Sequence, residues 1–585
     1  MRRNPAALGE SPYDLLIIGG GSFGAAAARE ATLMGLRTAL IERSDFGGGT
    51  SAECFKMVHG GIRYLQHADL PRLRASARER SAFLRIAPHL VHPLPIAIPT
   101  YGYGQKGRAF LGAGACVYDL LTADRNHGIP DRERQIRHTQ FLSRPELLRL
   151  FPHLQAPKLT GAVVFEDGQM YNPARLVLAF VKAAAELGAD VCNYMEAQDF
   201  LWEGQEVRGV RVRDRLSGET MAVRARLTLN AAGPWADYLQ QDQARFKGHR
   251  RLPFSRDAYF IVDRKPTSHY GLAVQGLSRD ADALLSRANR HLFAAPWGDR
   301  TLFGVWHRHF AEHPDEAHIT VDELRSWITE LNTVYPALQL SMDEVSFANC
   351  GLVPFGETAT QQELSFGKES RLIDHRATHG IGGLVSLVGI RFTTARADAQ
   401  RALDLLMKQW PGGPAPQAAR TLSLRKPLPG GNIESFERFR AQARRQLATT
   451  LSQGNVSEHA VEAVLHNFGS EFEKVMRTCD AVTQIPGTTT LTSEVEYAVA
   501  NEMAVRLDDV VMRRTNLAAG RHPGTAVLLA TAQQMAGHLN WSHKQIAEEV
   551  RMVQENLEKH YARERGIDSH EHHRPEHPSR QKVFA

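Results

Sequence analysis

The chain has 585 residues, of which 43% are hydrophobic and 23% are charged, a composition typical of a folded globular protein. Its length corresponds to about three or four domains of about 150 residues each. The formal net charge of +6 is small for this length, so it does not indicate a nucleic-acid partner. The five cysteines are widely spaced and include no Cys-x-x-Cys pair, which excludes a disulfide framework and a zinc site and favours a reducing compartment.

The sequence predicts no membrane-spanning helix, because no run of about 20 apolar residues is present. The longest apolar stretch, residues 110–123, is too short and contains Asp119. Residues 1–13 lack an apolar region followed by a cleavage site, so we expect no signal peptide. These features predict a cytoplasmic protein.

The N-terminal pattern is a β-α-β unit, which predicts an α/β fold with a parallel sheet. Residues 14–18 read as a strand that ends at glycines, residues 25–34 as a helix, and residues 37–42 as a second strand. Residues 256–350 are rich in strand formers and predict an antiparallel sheet beside this domain. Residues 492–515 have apolar residues at helical spacing and predict one helix.

We predict an FAD-binding domain within residues 1–410 that is interleaved with a substrate domain. The predicted segments are 12–100, 160–250 and 355–410 for the FAD-binding domain, 100–160 and 250–355 for the substrate domain, 411–435 for a Pro/Gly-rich linker, 436–561 for a C-terminal helical domain and 562–585 for a disordered tail. The tail is rich in histidine, but such tails bind metals weakly, so we predict no metal site.

A dinucleotide fingerprint, Gly19-x-Gly21-x-x-Gly24, lies where the first strand becomes a helix. Its glycines permit a tight turn, a close approach of backbone to a diphosphate, and close packing of helix on strand. Ser22 and Phe23 lie within this turn. Glu42 ends the next strand, where its carboxylate can accept hydrogen bonds from ribose hydroxyls. The pattern therefore predicts a bound adenine dinucleotide.

The fingerprint alone does not distinguish FAD from NAD. It lies at the extreme N-terminus and is followed by the small and hydroxyl-bearing residues 47–51, along which the phosphates and ring of a flavin can lie. These two features favour FAD.

Residues 51–65 read SAECFKMVHGGIRYL and strongly resemble the family of FAD-dependent glycerol-3-phosphate dehydrogenases. The resemblance covers roughly residues 12–560 and includes the motifs at 87–90, 230–235, 295–297, 392–396, 502–503 and 508–515. It implies a Rossmann-like FAD-binding domain, an interleaved antiparallel-sheet substrate domain and a C-terminal all-α domain. It also implies oxidation of sn-glycerol 3-phosphate to dihydroxyacetone phosphate, with electrons passing from FAD to a membrane quinone or, in some members, to oxygen.

The resemblance and the fingerprint together predict the residues that hold FAD. They are Gly19, Gly21, Ser22, Phe23, Gly24, Glu42, Arg43, Thr50, Ser51, Lys56, His59, Gly60, Gly61, Ala232, Gly233, Gly389, Arg391, Phe392, Thr393 and Thr394. Residues 389–394 precede a predicted helix whose N–H groups would face the flavin pyrimidine.

Five residues are predicted to act on the substrate: His59, Arg63, Tyr64, Arg391 and Tyr259. Removal of hydride from a carbon requires the adjacent hydroxyl to lose its proton, and imidazole titrates near neutral pH, so His59 is the candidate base. The alternative is that His59 only holds its loop by a hydrogen bond. Arg63 could fork onto a phosphate or carboxylate, or could form a loop-stabilising salt bridge.

Several positions differ from the family pattern at the predicted substrate site. Val353 stands where the family has a phosphate-binding arginine, Arg391 where it has lysine, and Tyr259 where it has histidine. His307 ends a changed Gly-Thr-Thr-Asp motif in which Trp306, together with Phe55, is expected to make the pocket less polar. These changes leave open a related hydroxy or amino substrate that carries a carboxylate.

Two further function classes and two partners stay open. The chain could be an oxidase of another alcohol or amine, or a flavin-binding protein without turnover. The helix 71–86 carries five arginines and could touch anionic lipid, or could simply be a solvated helix face. We therefore expect a small-molecule substrate and no nucleic acid, and leave open a quinone, a homodimer and peripheral binding to the cytoplasmic face of the inner membrane.

Overall fold

The computed structural model describes residues 1–104, 107–152, 154, 157–241, 245–246, 251, 253–279, 289–354, 369–411, 415–417, 420–448, 451 and 456–561. The predicted disordered tail, residues 562–585, lies outside these ranges, as do residues 412–414 and 418–419 of the predicted linker.

The strands of the described residues belong to two sheets. In chain order they are β1 (Tyr13–Ile18), β2 (Thr38–Ile41), β3 (Met57–Val58), β4 (Val91–Tyr101), β5 (Gln140–Ser143), β6 (Leu159–Met170), β7 (Asp190–Cys192), β8 (Met195–Glu203), β9 (Glu206–Asp214), β10 (Thr220–Asn230), β11 (Phe254–Val262), β12 (Gly271–Arg279), β13 (Asn289–Trp297), β14 (Arg300–Phe310), β15 (Val345–Pro354), β16 (Arg371–Asp374) and β17 (Leu384–Val388).

The first sheet has the order β16-β17-β10-β1-β2-β7, and β8 and β9 extend it from β10. Strands β17, β10, β1, β2 and β7 run parallel to one another, whereas β16 pairs antiparallel with β17 and β9 pairs antiparallel with β10. Strand β1 is central, and Leu15, Leu16 and Ile17 are fully buried, as expected for a parallel strand covered on both faces. The predicted α/β class is therefore confirmed.

The second sheet has the order β15-β11-β14-β13-β12-β4-β6-β3, with β5 paired to β6. Most of its pairings are antiparallel, as predicted for residues 256–350, and β12 pairs with β4 in parallel. Strands from residues 57–170 and 254–354 share this sheet, so the chain crosses between the two sheets several times. The domain boundaries named above stay predictions.

The helices of the described residues cover the sheets and form most of the C-terminal part. They are α1 (Ala7–Glu10), α2 (Ser22–Leu33), α3 (Leu70–Ile86), α4 (Arg108–Leu121), α5 (Arg144–Leu150), α6 (Pro173–Glu186), α7 (Tyr238–Gln241), α8 (Val321–Val334), α9 (His375–His379), α10 (Ala395–Met407), α11 (Arg420–Ser423), α12 (Phe436–Gln446), α13 (Glu458–Phe468), α14 (Phe472–Met476), α15 (Thr492–Asn501), α16 (Thr525–Leu539) and α17 (His543–Glu558). Within the described part of the chain, no helix is long and apolar enough to cross a membrane.

The prediction of one helix over residues 492–515 is wrong. Helix α15 ends at Asn501, and a separate π-helix spans Asp509–Arg514. Between them the Asp509 carboxylate accepts hydrogen bonds from the backbone N–H groups of Val505 and Arg506 at 2.9 and 3.0 Å. Buried polar contacts of this kind override the apolar periodicity, because an unpaired buried carboxylate is costly.

Candidate active site

A cavity of about 1120 Å³ lies between the two sheets and extends to the C-terminal helices. Its wall contains many of the predicted site residues: Gly19, Gly21, Ser22, Phe23, Glu42, Arg43, Thr50, Ser51, Arg63, Ala232, Gly233, Tyr259, Gly389 and Phe392. The cavity thus joins the glycine fingerprint at one end of the first sheet to the residues that follow β17. Such an elongated cleft at the carboxyl ends of parallel strands is the usual dinucleotide site of an α/β fold.

The fingerprint packs as closely as a dinucleotide turn requires. A Cβ placed on Gly24 would lie 1.8 Å from the carbonyl oxygen of Gly19, so only glycine fits there. Gly19 itself has φ +103°, a left-handed conformation that glycine adopts readily. Gly21 precedes α2 in an extended conformation, and the helix N-terminus therefore opens into the cavity.

Hydroxyl and carboxylate groups line the cavity where phosphates and ribose would bind. The Ser22 N–H donates to Ser51 Oγ at 2.9 Å, so a side-chain hydroxyl occupies the helix N-terminus. Glu42 ends β2, and its carboxylate accepts from the backbone N–H groups of Gly20 and Ser44 at 2.7 and 2.9 Å. These residues fit FAD, because the N–H donors and positive helix end suit the diphosphate and the carboxylate suits the ribose.

Gly389 and Phe392 line the cavity beside the fingerprint. A Cβ on Gly389 would lie 1.9 Å from the Phe23 ring, so the chain after β17 passes directly over the fingerprint turn. Residues 392–394 form a 3₁₀ turn that leads into α10, which confirms that a helix begins here. That its first N–H groups face the flavin ring stays a prediction.

Arg43 holds the two sides of the cleft together. Its guanidinium lies 4.3 Å from the centroid of the Trp235 ring and 3.0 Å from Asp315 Oδ1. The Trp235 indole N–H also donates to Asp315 Oδ1 at 2.9 Å. This contact joins the loop after β2 to the segment that follows β14.

The predicted base His59 has a carboxylate partner that the sequence analysis missed. His59 Nδ1 lies 2.8 Å from Asp167 Oδ2, and the His59 side chain is 34% exposed. The His59 N–H donates to Thr393 Oγ1 at 2.9 Å, which ties this loop to the turn before α10. Asp167 is far away in sequence and becomes a neighbour only because β3 pairs with β6.

Arg391 and Tyr64 lie together beside His59. The Arg391 guanidinium donates to Tyr64 Oη at 3.2 Å and to Ser76 Oγ at 2.8 Å. The His59 and Tyr64 rings lie 5.7 Å apart. Among the described residues Arg391 has no carboxylate partner within ion-pair distance, and its hydrogen bonds go to hydroxyl groups. His59, Tyr64 and Arg391 are not in the cavity wall itself, but are close in sequence to the wall residues Arg63 and Phe392.

Tyr259 lies in the cavity wall, and its action on the substrate stays a prediction. Its side chain is buried, packs edge-on against Phe55 with ring centroids 5.3 Å apart, and its hydroxyl has no hydrogen-bond partner among the described residues. Lys56 lies 5.7 Å from the Tyr259 ring, and burial lowers the pKa of its amine. Burial raises the pKa of the Cys54 thiol, which fits a packed thiol rather than a redox group.

The remaining predicted cofactor residues lie outside the cavity wall. They are Gly24, Lys56, Gly60, Gly61, Thr393 and Thr394. The expectation that Trp306 makes the pocket less polar is wrong. Trp306 stacks between Phe260 and Trp327 on the opposite face of the second sheet, because side chains alternate along β14.

The wall formed by the second sheet carries an acid–base pair. His307 Nδ1 lies 2.7 Å from Asp257 Oδ1, and Ser255 Oγ donates to the same carboxylate oxygen at 2.6 Å. Asp257 and His307 are opposite each other in the pairing of β11 with β14. Val353 also lines this wall.

Two family models match the chain. Residues 14–390 match the FAD dependent oxidoreductase model, and residues 422–546 match the C-terminal domain of alpha-glycerophosphate oxidase. The glycerol-3-phosphate dehydrogenase of Synechocystis sp. is 28% identical over 95% of this chain and 98% of its own length. The alpha-glycerophosphate oxidase of Streptococcus pyogenes is 26% identical over 94% of this chain and 96% of its own length.

A solved structure shows the same fold over almost the whole chain. The glycerol-3-phosphate dehydrogenase from Bacillus halodurans, complexed with FAD, has a TM-score of 0.71 and 22% identity, and the match covers 95% of this chain and 96% of that one. The cleft described above fits the same cofactor, and the first family model spans more than half of the chain. The chain therefore belongs to the family of FAD-dependent oxidoreductases.

Proposed function

We propose that this protein oxidises the secondary alcohol of glycerol 3-phosphate to a ketone, with FAD as the hydride acceptor. The proposal is supported by relatives of that activity that match nearly the whole chain. The observation that carries it is that Tyr64 contacts both the imidazole of His59 and the guanidinium of Arg391, which has no carboxylate partner among the described residues. A base and a cation that share this neighbour suit a hydroxyl next to a phosphate.

His59 takes the proton of the substrate hydroxyl. Its side chain is partly exposed, and a histidine held by a carboxylate is a common general base. FAD, when bound, supplies the acceptor of the hydride from the same carbon. Loss of the hydroxyl proton to His59 lets the carbonyl form as the hydride leaves.

Arg391 binds the phosphate. A guanidinium can present two parallel N–H donors to a phosphate, and such charge-assisted hydrogen bonds are strong. The Tyr64 hydroxyl and the Ser76 hydroxyl accept hydrogen bonds from one of its nitrogens and so fix its direction. Arg72 lies on the Tyr64 ring at 4.7 Å and is itself paired with Asp69 at 2.8 Å.

Arg391→Met tests this role. Loss of one buried charge-assisted contact costs about 2 to 5 kcal/mol, and for a partly exposed group we expect the lower end, about a thirty-fold rise in the glycerol 3-phosphate concentration that half-reduces the flavin. Arg74→Met is the matched control, because Arg74 pairs with Asp124 at the surface of α3. If R391M and wild type were half-reduced at the same concentration of glycerol 3-phosphate, the assignment of Arg391 to the phosphate would be contradicted.

An oxidase or dehydrogenase of a different hydroxy or amino substrate is the second candidate. Val353 and the Asp257–His307 pair favour it, because Val353 places no guanidinium at its position in the wall of the second sheet, and the pair adds a carboxylate and an imidazole there. Anaerobic mixing of the flavoprotein with glycerol 3-phosphate, glycerol, 2-hydroxy acids and amino acids separates the candidates. Bleaching by any of them would exclude a flavin-binding protein without turnover.

We further propose that electrons pass to a quinone and that the protein docks on the cytoplasmic face of an anionic membrane. The basic helix considered above is the weaker candidate for this surface, because Arg80 is fully buried and Arg74 is paired with Asp124. An apolar patch on and beside α4 supports the proposal better. The patch consists of Tyr103, Phe110, Val117, Leu120 and Phe141, all of them exposed.

Two arginines lie beside the apolar patch. Arg108 lies 5.2 Å from the Phe141 ring, and Arg137, on the segment before β5, is largely exposed and lies 3.8 Å from Glu166. An amphipathic helix with apolar residues outward and cations at its edge suits an anionic lipid surface.

Flotation with vesicles that contain phosphatidylglycerol tests this docking. We expect wild type to float and Leu120→Glu to stay in the soluble fraction. Leu277→Glu is the control, because Leu277 is exposed by 58%, comparable to the 78% of Leu120, but lies on β12 outside the patch. Recovery of wild type only in the soluble fraction would count against membrane docking and leave the flavin chemistry untouched.

A further inference from the structure

We infer that Asp167 is the positioning residue that fixes the tautomer of His59, and that Arg80 keeps Asp167 in place for this task. The inference rests on the proposed function, in which the His59 imidazole accepts the substrate hydroxyl proton. Asp167 would thereby explain why His59 presents Nε2, and not Nδ1, as the nitrogen that accepts the proton.

The backbone brings Asp167 to the predicted base. Strands β3 and β6 pair with Val58 opposite Gly168, so the residue after β3 meets the residue before Gly168. One Asp167 oxygen, Oδ2, lies 2.8 Å from His59 Nδ1. The other, Oδ1, accepts a hydrogen bond from the Gly60 N–H. One carboxylate therefore holds both the ring and the backbone of the same loop.

Arg80 completes the site from behind. Its guanidinium is fully buried, and one nitrogen, Nη1, donates to Asp167 Oδ1 at 2.9 Å and to the Glu166 carbonyl oxygen at 3.1 Å. Tyr118 Oη lies 3.0 Å from the same nitrogen and donates to the Gly60 carbonyl oxygen at 3.2 Å. Hydrogen bonds thus connect Arg80 of α3, Tyr118 of α4, Asp167 of β6 and the loop after β3, and hold the Asp167 carboxylate in one orientation.

The charge of Asp167 follows from its surroundings. Burial by itself would raise the pKa of the Asp167 carboxyl, but the attraction of His59 and Arg80 outweighs burial and lowers it. Asp167 is therefore a carboxylate at neutral pH. A carboxylate can only accept hydrogen bonds, so neutral His59 carries its proton on Nδ1 to bond Asp167 Oδ2 at 2.8 Å. The Gly61 N–H also points at Nδ1, at the longer distance of 3.3 Å, and this weaker contact is given up in that tautomer.

This tautomer leaves Nε2 of His59 as the nitrogen that accepts a proton. In the reaction the O–H bond of the substrate breaks, an Nε2–H bond forms, and the resulting imidazolium keeps its Nδ1–H bond to Asp167. Asp167 does not take the proton itself, because Arg80 and the Gly60 N–H stabilise its charge. Its effect on the reaction is carried entirely by His59.

Asp167→Asn keeps the shape and reverses the tautomer. The amide oxygen would stay with the two donors, Arg80 and the Gly60 N–H, so the amide NH₂ would face His59 Nδ1. That nitrogen would then have to accept, and the proton would move to Nε2, which blocks the base. We expect flavin reduction by glycerol 3-phosphate to slow about 10³- to 10⁴-fold, as when a histidine base is held in the wrong tautomer.

Nitrogen-15 NMR of histidine-labelled holoprotein tests the tautomer without substrate. The His59 signals are identified by their loss in His59→Gln. We expect the Nδ1–H form in wild type and the Nε2–H form in D167N, with FAD content unchanged. Glu166→Gln is the matched control, since Glu166 is the adjacent, largely buried carboxylate and its side chain accepts from the Arg137 N–H instead; it should keep the wild-type tautomer and rate.

The Nε2–H form in wild type would overturn the inference, and this result does not depend on D167N, since His59→Gln serves only to assign the signals. Equal flavin-reduction rates in D167N and E166Q would also overturn it. If wild-type flavin is not reduced by glycerol 3-phosphate, the proposed function fails, while the NMR result still decides the role of Asp167.

Discussion

Gly24→Ala introduces one methyl group at the tightest contact of the cofactor cleft. The new Cβ would lie 1.8 Å from the Gly19 carbonyl oxygen, whereas real Cβ contacts essentially never fall below 3.0 Å. The start of α2 must therefore move away from β1 by more than an ångström. Overpacking of this kind costs about 1 to 3 kcal/mol of folding free energy.

The same shift moves the N–H donors that hold the FAD diphosphate. A charge-assisted hydrogen bond contributes about 1.5 to 3 kcal/mol, so we expect the Kd for FAD to rise at least tenfold. The assay is fluorescence titration of FAD with apoprotein, together with urea unfolding. Gly537→Ala is the control, because Gly537 lies in α16 with nothing within 4 Å of its added Cβ; it should stabilise the fold by about 1 kcal/mol and leave the Kd unchanged.

A G24A protein that binds FAD and unfolds as wild type does would refute the close approach of helix to strand. Equal losses in G24A and G537A would refute the reasoning as well, because the effect would then follow from any added methyl group in a helix.

Two further predictions concern buried carboxylates. Burial raises the pKa of Glu494 to about 7. The pKa of Glu494 in the folded state lies above its value in the unfolded state, so the contribution of this carboxyl to the free energy of unfolding falls as pH rises from about 4.3 towards 7. The urea concentration that half-unfolds Glu494→Gln should therefore be higher than that of wild type at pH 8 but not at pH 4. Asp45 accepts hydrogen bonds from both Arg513 and Arg514 at 2.6 Å, so Asp45→Asn should lower the free energy of unfolding, measured in urea, by about 3 to 5 kcal/mol. Asp322→Asn is the control: it loses only the exposed pair with Arg325 and should lower that free energy by less than about 1 kcal/mol. An unchanged pH dependence in E494Q, or equal losses in D45N and D322N, would contradict these assignments.

Local chemistry made the cofactor half of the site predictable. One β-α-β unit contains the fingerprint glycines, the helix that follows them and Glu42. Within such a unit, backbone geometry and ligand contacts explain why each of these residue types is needed at its position. The ranges of β1, α2 and β2 accordingly differ from the predicted ones by only a few residues.

The catalytic half depends on contacts between distant segments, which a single sequence does not reveal. Asp167 reaches His59 through strand pairing, and Trp306 turns away because of its place in the alternation of β14. The break after α15 has the same origin, since Glu502 pairs with Arg175 and Lys182 in the core. Periodicity indicates which faces are apolar, but not which buried charges will meet.

Anaerobic addition of glycerol 3-phosphate to the purified yellow protein tests the central claim most directly. We expect the visible flavin absorbance to be lost at millimolar substrate and to be unaffected by glycerol at the same concentration. A flavin spectrum that stays oxidised at saturating glycerol 3-phosphate would contradict the proposed reaction.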